Sequence, residues 1–450
     1  MKKRFIPITI ALASIALLSS CGANNNTTNK TNDASTTNDA STTTSLSTND
    51  TTTNSSSDSN TIYDTLGNVI KSGSASVSFK YGNQTTTKTI SAAYLIDGVT
   101  VNITSGTYSA ASSNSDEVVF LVINGGSLNI TGTSSSYVNI NKTGSAAGNG
   151  QVGDDYNFYG INSSIVVSGD ESSATLEYIN MTSSSNGSNA VVATNDSNVV
   201  INNSIIKTTG SAGSRGLHTT YGGNIIASNV SITTQGASCA TLANDRGGGS
   251  IVASDMTLET NSNGSPLVYS TDSIIVSYST GVANSAQMVV VEGGSSATLN
   301  ECDFTATGDG NRTGTSESDS SSHTIDKGGI FIYQSVSGDS SEGTDYFTAT
   351  NCTFKVTSSD VPMFYLTNIE AIITLDGNTF TSASSTDYFL IAEETNQWGK
   401  VGSNGATVKV NLTNQDLASY KAFVGTSSSS LSISATDSSS TSITKETGTW

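Results

Sequence analysis

"NIIASNVSITT" (224–234) and "SIVASDMTLET" (250–260) are two copies of one pattern, 26 residues apart when their last large apolar residues, Ile232 and Leu258, are aligned. Between them lie a second apolar run, "CATLA" (239–243), and a glycine-rich corner, "NDRGGGS" (244–250). Upstream, "SATLEYINMTS" (173–183) and "NVVINNSIIKT" (198–208) carry the same pattern, with Met181 25 residues before Ile206 and Ile206 26 before Ile232. Downstream, "SATLNECDFTA" (296–306), "ATNCTFKVT" (349–357) and "ITLDGNTFTS" (373–382) end on Phe304, Phe354 and Phe380. The 46 residues from Leu258 to Phe304 enclose "SIIVSYSTG" (273–281) and read as two shorter periods. The 50 from Phe304 to Phe354 read as one period with a large insertion or as two periods, and Phe354 to Phe380 returns to 26.

Each period also holds a second apolar run, such as "AVVAT" (190–194), "PLVYS" (266–270), "QMVVVEG" (287–293), "GIFIYQS" (329–335), "PMFYLTN" (362–368) and "YFLIAEE" (388–394). Two or three short Val-, Ile- and Thr-rich strands per period, separated by Gly, Asn, Ser and Asp, describe a parallel β-solenoid with coils of roughly 22–26 residues. The 42 glycines supply corners. Only Pro266 and Pro362 remain beyond the first residues, as expected where strands pair on both sides. A row of antiparallel sandwich domains would instead show turns every ~8–12 residues and repeats near ~100.

The ends of the chain carry its address. "MKKRFIPITIALASIALLSSC" joins three positive charges to an apolar run and a small-residue approach to Cys21, the build of a secretory signal over residues 1–20. Leu18-Ser19-Ser20-Cys21 resembles a bacterial lipobox, which implies lipidation of Cys21 and a protein held on the cell envelope, facing outward. Residues 21–60 are almost wholly Asn, Thr, Ser, Asp and Ala and cannot bury enough apolar surface to order, so they read as a disordered tether. Residues 61–450 are then one β-helix domain with a polar C-terminal end.

Charge excludes several partners. Removing the signal takes the net charge from −19 to −22, spread over an otherwise uncharged polar surface that repels nucleic acid and anionic lipid. No phosphate loop, metal motif or other cofactor signature is present; glycine runs such as "DRGGGS" lack the following helix a dinucleotide needs. His218 and His323 are the only histidines and sit in no triad-like motif. The acidic neighbours Asp154-Asp155, Asp170-Glu171 and Glu393-Glu394 point to opposite faces if they lie on strands, and read as solvated loop charges rather than as glycosidase pairs. Cys302 and Cys352 share one column of the repeat, two residues before Phe304 and Phe354, which fits a small apolar ladder position or, were the coils neighbours, a disulfide.

Counting back four residues from the aligned Ser250, Ser273 and Ser296 reaches Arg246, Tyr269 and Glu292, which this count stacks in one column beside a corner. Such a ladder is either purely stabilising or, with Tyr333 and Gln334 extending it, a sugar-binding face, since aromatic planes and bidentate polar groups suit a glycan.

The runs "GSRGLHTTYGGNIIASNVSITTQGASCATLANDRGGGSIVASDMTLETNSNGSPLVYSTDSIIVSY", "GIFIYQSVSGDSSEG", "PMFYLTNIEAIITL" and "WGKVGSNGATVKVNLTNQDL" resemble a family of secreted or lipid-anchored right-handed β-helix proteins of bacteria, often called adhesin-like, over roughly 91–431. The resemblance implies the right-handed parallel β-helix and says little of function; the chain reads as an adhesin-like binding or structural module of the cell surface, with a glycan or a host or neighbouring-cell ligand as its expected partner. The resemblance implies no particular activity. The competing expectation is a carbohydrate-active enzyme, a polysaccharide lyase or glycosidase, which would converge two carboxylates, or a carboxylate and a base, in one cleft. Ice binding would require a regular Thr-x-Thr ladder, a register the threonines do not keep.

Overall fold

A strand buried on one face alternates apolar and polar residues, whereas one buried on both faces is apolar throughout. Both kinds occur in every repeat of the computed structural model, which describes residues 61–147, 153–310, 312–315, 322–335, 337–338, 340–383, 388–400, 402–425 and 428–447. The signal segment, Cys21 and the tether lie outside the described residues. All of the described chain belongs to one unit by its internal contacts.

One repeat consists of the strands Val268–Ser270, Ser273–Ser277 and Thr280–Ala283; the next of Val289–Glu292, Ser296–Asn300 and Asp303–Ala306. Each strand pairs in parallel with its counterpart: Val268 with Val289, Ser273 with Ser296, Thr280 with Asp303. Continued along the chain, the first strand of each repeat builds a fourteen-stranded sheet, and the other two build a twenty-stranded sheet in two columns. The protein is all-β with long parallel sheets, an arrangement compatible with a β-solenoid.

The periodicity survives in register. Ile232, Leu258, Gly281, Phe304, Phe354 and Phe380 are successive partners in the second column. Gly281 divides the 46-residue interval into two repeats, and a Cβ there would come within 2.5 Å of Leu267 Cδ1 and 3.2 Å of the Phe304 ring, which together occupy its space. Phe304 pairs directly with Phe354, so the 50-residue interval is one repeat carrying an insertion.

The bend between the two columns is uniform. It falls at Tyr178, Asn203, Asn229, Asp255, Tyr278, Glu301 and Asn351, all with φ between 50° and 56°. Asn and Asp tolerate this left-handed conformation better than other side chains. The next residue points inward and accepts the backbone N–H of its counterpart one repeat earlier: Ser279 Oγ from Met256, Cys352 Sγ from Cys302, Asn378 Oδ1 from Cys352, Gln415 Oε1 from Asn378. These acceptors satisfy amides that the bend removes from the sheet. Cys302 and Cys352 are thus neighbours in a buried ladder, and both are free thiols.

Three features escaped the repeat pattern. Gly73–Tyr81 and Gln84–Asp97 form a long antiparallel hairpin that joins the edge of the fourteen-stranded sheet through Glu117–Ile123. A four-residue helix, Asp154–Asn157, follows. Together with residues 158–161, the hairpin buries the outward side of the early strands: Phe79, Ile90, Tyr156, Phe158 and Tyr159 pack on Leu121, Val166 and Val192. The third is the insertion after Asp303–Ala306, which contains a small antiparallel pair, Thr313–Gly314 with His323–Thr324.

Candidate functional site

The outward-facing positions of the fourteen-stranded sheet run in register through Val166, Val192, His218, Ala243, Tyr269, Val290, Phe331, Tyr365, Ile391 and Phe423. The hairpin and the 154–161 segment cover the start of this column. At the far end Trp398 packs with Tyr333 and with the column's own Phe331, Tyr365, Ile391 and Phe423 in one largely aromatic cluster. Between the two covers lies a cleft of about 230 Å³ with Tyr269, Val290 and Phe331 on its lining.

The walls come from outside the repeat. From one side, buried Arg215 donates through Nη1 to Asn157 Oδ1 (2.8 Å) and through Nη2 to Asp245 Oδ2 (3.1 Å). Asp245 is itself fixed by accepting the Arg246 amide on Oδ1 and donating its own amide to Thr219 O. From the other side the insertion brings in Arg312 and buried Asp326. Asp326 Oδ1 accepts the Arg312 amide at 3.2 Å, while its backbone carbonyl accepts Gln287 Nε2 at 2.7 Å. The Arg312 guanidinium lies 4.6 Å from the centre of the Trp398 ring.

Beneath the cleft, Glu292 Oε2 accepts hydrogen bonds from Tyr269 Oη (2.5 Å) and Tyr333 Oη (2.7 Å), and Oε1 accepts from Ser335 Oγ. Glu292 is buried, so three hydroxyl donors replace its lost hydration. Burial, reinforced by the Glu292 charge, holds both phenols well above the usual tyrosine range, so they remain neutral donors. Tyr333 also stacks on Phe331 with centroids 4.3 Å apart.

Tyr269, Glu292 and Tyr333 therefore meet, but not as a single column. Tyr269 pairs with Ala243 and Val290, and Glu292 pairs with Tyr333. Counting back from the serines fails because the corners differ in length: six, three and five residues separate Ala243, Tyr269 and Val290 from Ser250, Ser273 and Ser296. Arg246 stands apart. Its guanidinium covers Phe158 at 3.8 Å and pairs with Asp154 at 3.1 Å instead of lying over Tyr269. The Gln334 side chain turns to its own loop, donating through Nε2 to Ser341 O, while its backbone carbonyl accepts from Asn368 Nδ2.

Other acidic and basic candidates are also resolved. Asp155 pairs with Lys88 at 2.6 Å. Glu393-Glu394, expected as solvated loop charge, are instead buried: Glu393 accepts from Tyr365 Oη, and Glu394 from the Gly402 amide and Ser428 Oγ. The aromatic cover over that end of the sheet explains the difference. His218 is fully buried with neither ring nitrogen hydrogen-bonded, and burial, together with the Arg215 charge, keeps its imidazole neutral. Among the described residues no cluster of three or more His, Cys, Asp and Glu is placed to hold a metal ion.

Sequence reasoning missed Arg215, Asp245, Gln287, Arg312 and Asp326. A signal existed. Arginines are scarce in this chain, and "SRG" (214–216) stands beside a corner while "NRT" (311–313) holds the only arginine among acidic residues inside the insertion. No protein-family model matches the chain, and comparison with curated proteins finds no significant similarity.

Proposed function

We propose that residues 61–450 form a right-handed parallel β-helix displayed outward from the bacterial cell envelope on a lipidated Cys21 and a disordered tether, as an adhesin-like module that binds glycans. The constant order in which each repeat visits its three strand positions supports the helix, and right-handed connection is the rule between parallel strands. The resemblance to adhesin-like β-helix proteins supports the surface role. The observation that carries the binding function is the cleft between the two covers, where apolar ring edges meet fixed hydrogen-bonding groups.

A glycan array probed with the full chain tests this. Tyr269→Ala should abolish the signal and, because it removes one donor from buried Glu292, lower the unfolding midpoint without preventing folding; undiminished binding by that variant would overturn the assignment to this cleft. Two carboxylates, Asp245 and Asp326, reach the cleft from different segments, and this favours a second reading as a carbohydrate-active enzyme. Release of new reducing or unsaturated ends from a bound glycan, lost in Asp326→Asn, would establish the enzyme over the adhesin.

A further inference from the structure

We propose that the glycan taken by this cleft is acidic, and that Arg312 reads the carboxylate of a uronate residue. The inference rests on the glycan-binding reading and deepens it. Its basis is which charged groups around the cleft already have partners. Asp245 is paired with Arg215 and the Arg246 amide; Asp326 holds the Arg312 amide; Glu292 accepts three hydroxyls. Arg215 is committed on both terminal nitrogens, to Asn157 and Asp245. Arg312 differs. Half-buried and lining the cleft, its guanidinium has the Trp398 ring as its contact and donates to no oxygen among the described residues.

A guanidinium carries five donors in a planar fork that matches a carboxylate bidentately. Contact with the Trp398 ring, 4.6 Å away, restrains the guanidinium, which lowers the ordering cost of gripping a planar anion. The position is also selective by contrast with the rest of the molecule. A chain with 37 acidic and 18 basic residues repels anions at long range, so an acidic sugar is held only by a cation whose side-chain donors are not already spent on the chain's own oxygens. Phe331 and Tyr333 beside it offer apolar edges to the sugar ring. The insertion that disturbs the repeat thereby supplies the specificity, since it delivers Arg312.

The test uses the full chain in calorimetric titrations with galacturonate, glucuronate and mannuronate oligomers and with their methyl esters, which keep the sugar but lose the charge. At least one acid oligomer should bind about ten-fold or more tightly than its ester. Arg312→Gln should remove that preference and leave residual binding equal to the ester's, and Arg312→Lys should restore only part of it, because an ammonium cannot reproduce the fork. Raising salt should weaken the acid and not the ester. Esters that bind as well as acids would overturn this inference and leave the glycan reading standing. An acid preference that persists in Arg312→Gln would overturn the role of Arg312. A chain that binds neither these oligomers nor any glycan of the array would overturn both.

Discussion

The fourteen-stranded sheet and the first column of the twenty-stranded sheet are made of equally short parallel strands, yet they treat their outer faces in opposite ways. Glu117–Ile123, Ile330–Tyr333 and Phe364–Thr367 are buried at every position. Gly249–Ser254 and Ser273–Ser277 alternate, and their outer faces stay bare to the point that Ile226, Val252 and Ile275, which are successive partners, are 56%, 43% and 36% exposed. The cleft exists because one sheet is covered and the cover is interrupted. A bare parallel face offers rows of side chains, whereas a partly covered one offers walls, and walls are what bring Arg215, Asp245, Arg312 and Asp326 together.

The sharpest way to break this comparison is to truncate one outward residue on each face. Phe331→Ala, beneath the aromatic cover, should cost about 3–5 kcal/mol, because it opens a cavity between the sheet and Tyr333, Tyr365 and Trp398. Ile226→Ala, on the bare face, should change stability by no more than about 0.5 kcal/mol. Urea unfolding followed by circular dichroism measures both. Equal losses would mean that the two faces are not differently covered.

How much of this was legible in the sequence follows from the same contrast. The repeat was readable because interior positions such as Ile232, Leu258 and Phe354 recur with constant spacing, and register depends on them. Runs such as "VVFLVI" (118–123) and "IFIY" (330–333) announce burial on both faces, but not what does the covering. The hairpin, the 154–161 segment and the insertion occur once each, so periodicity is silent about them. Every wall residue of the cleft depends on a corner or one of these single segments, which is why Tyr269, Glu292 and Tyr333 could be picked from their strands and Arg312 could not. The same cause misplaced Arg246: its corner holds three consecutive glycines with φ of 79°, 68° and 135°, residues that lengthen the corner without altering the strand pattern.

That corner can be tested directly. Gly248 has φ of 68°, and a Cβ on it would meet the carboxylate of Asp272, which holds the Gly249 amide at 2.8 Å. Gly248→Val should cost about 1–3 kcal/mol in backbone strain. If it unfolds at the parental urea midpoint, the long corner is not strained and its extra residues are mere slack.

The inside of the bare-faced column is probed by pH. Asp345 points inward at the start of Thr344–Thr350; its Oδ1 accepts the Ser295 amide at 2.9 Å, and Oδ2 is buried with no partner. Burial, with Glu292 adding to it, pushes this carboxyl up to about 8 from an ordinary 3.8. A raised folded pKa stabilises most below the unfolded value, so the contribution of Asp345 should fall as pH rises from about 4 and be lost through about 8. Asp345→Asn, neutral throughout, should gain on the parent by about 1 kcal/mol or more at pH 8 and little at pH 4. Parallel stability curves for the two proteins would rule this out.

The smallest expected effect lies at the bend between the two columns of the twenty-stranded sheet, away from the covered face. Seven successive bends hold φ near 50°, and Asn occupies three of them, while Glu301 adopts the same conformation with a side chain that gains nothing from it. Glu301 is exposed, and its amide is already bonded to Thr350 O, so replacing the side chain disturbs no packing. Glu301→Asn should therefore stabilise by about 0.5 kcal/mol, through relief of left-handed strain that Asn tolerates. Asn351→Glu, the reverse exchange one repeat later, should lose a similar amount, and the two together should cancel. If instead both single variants destabilise, the bends are set individually by their neighbours, and the uniform φ along the column is not a property that one residue type can improve.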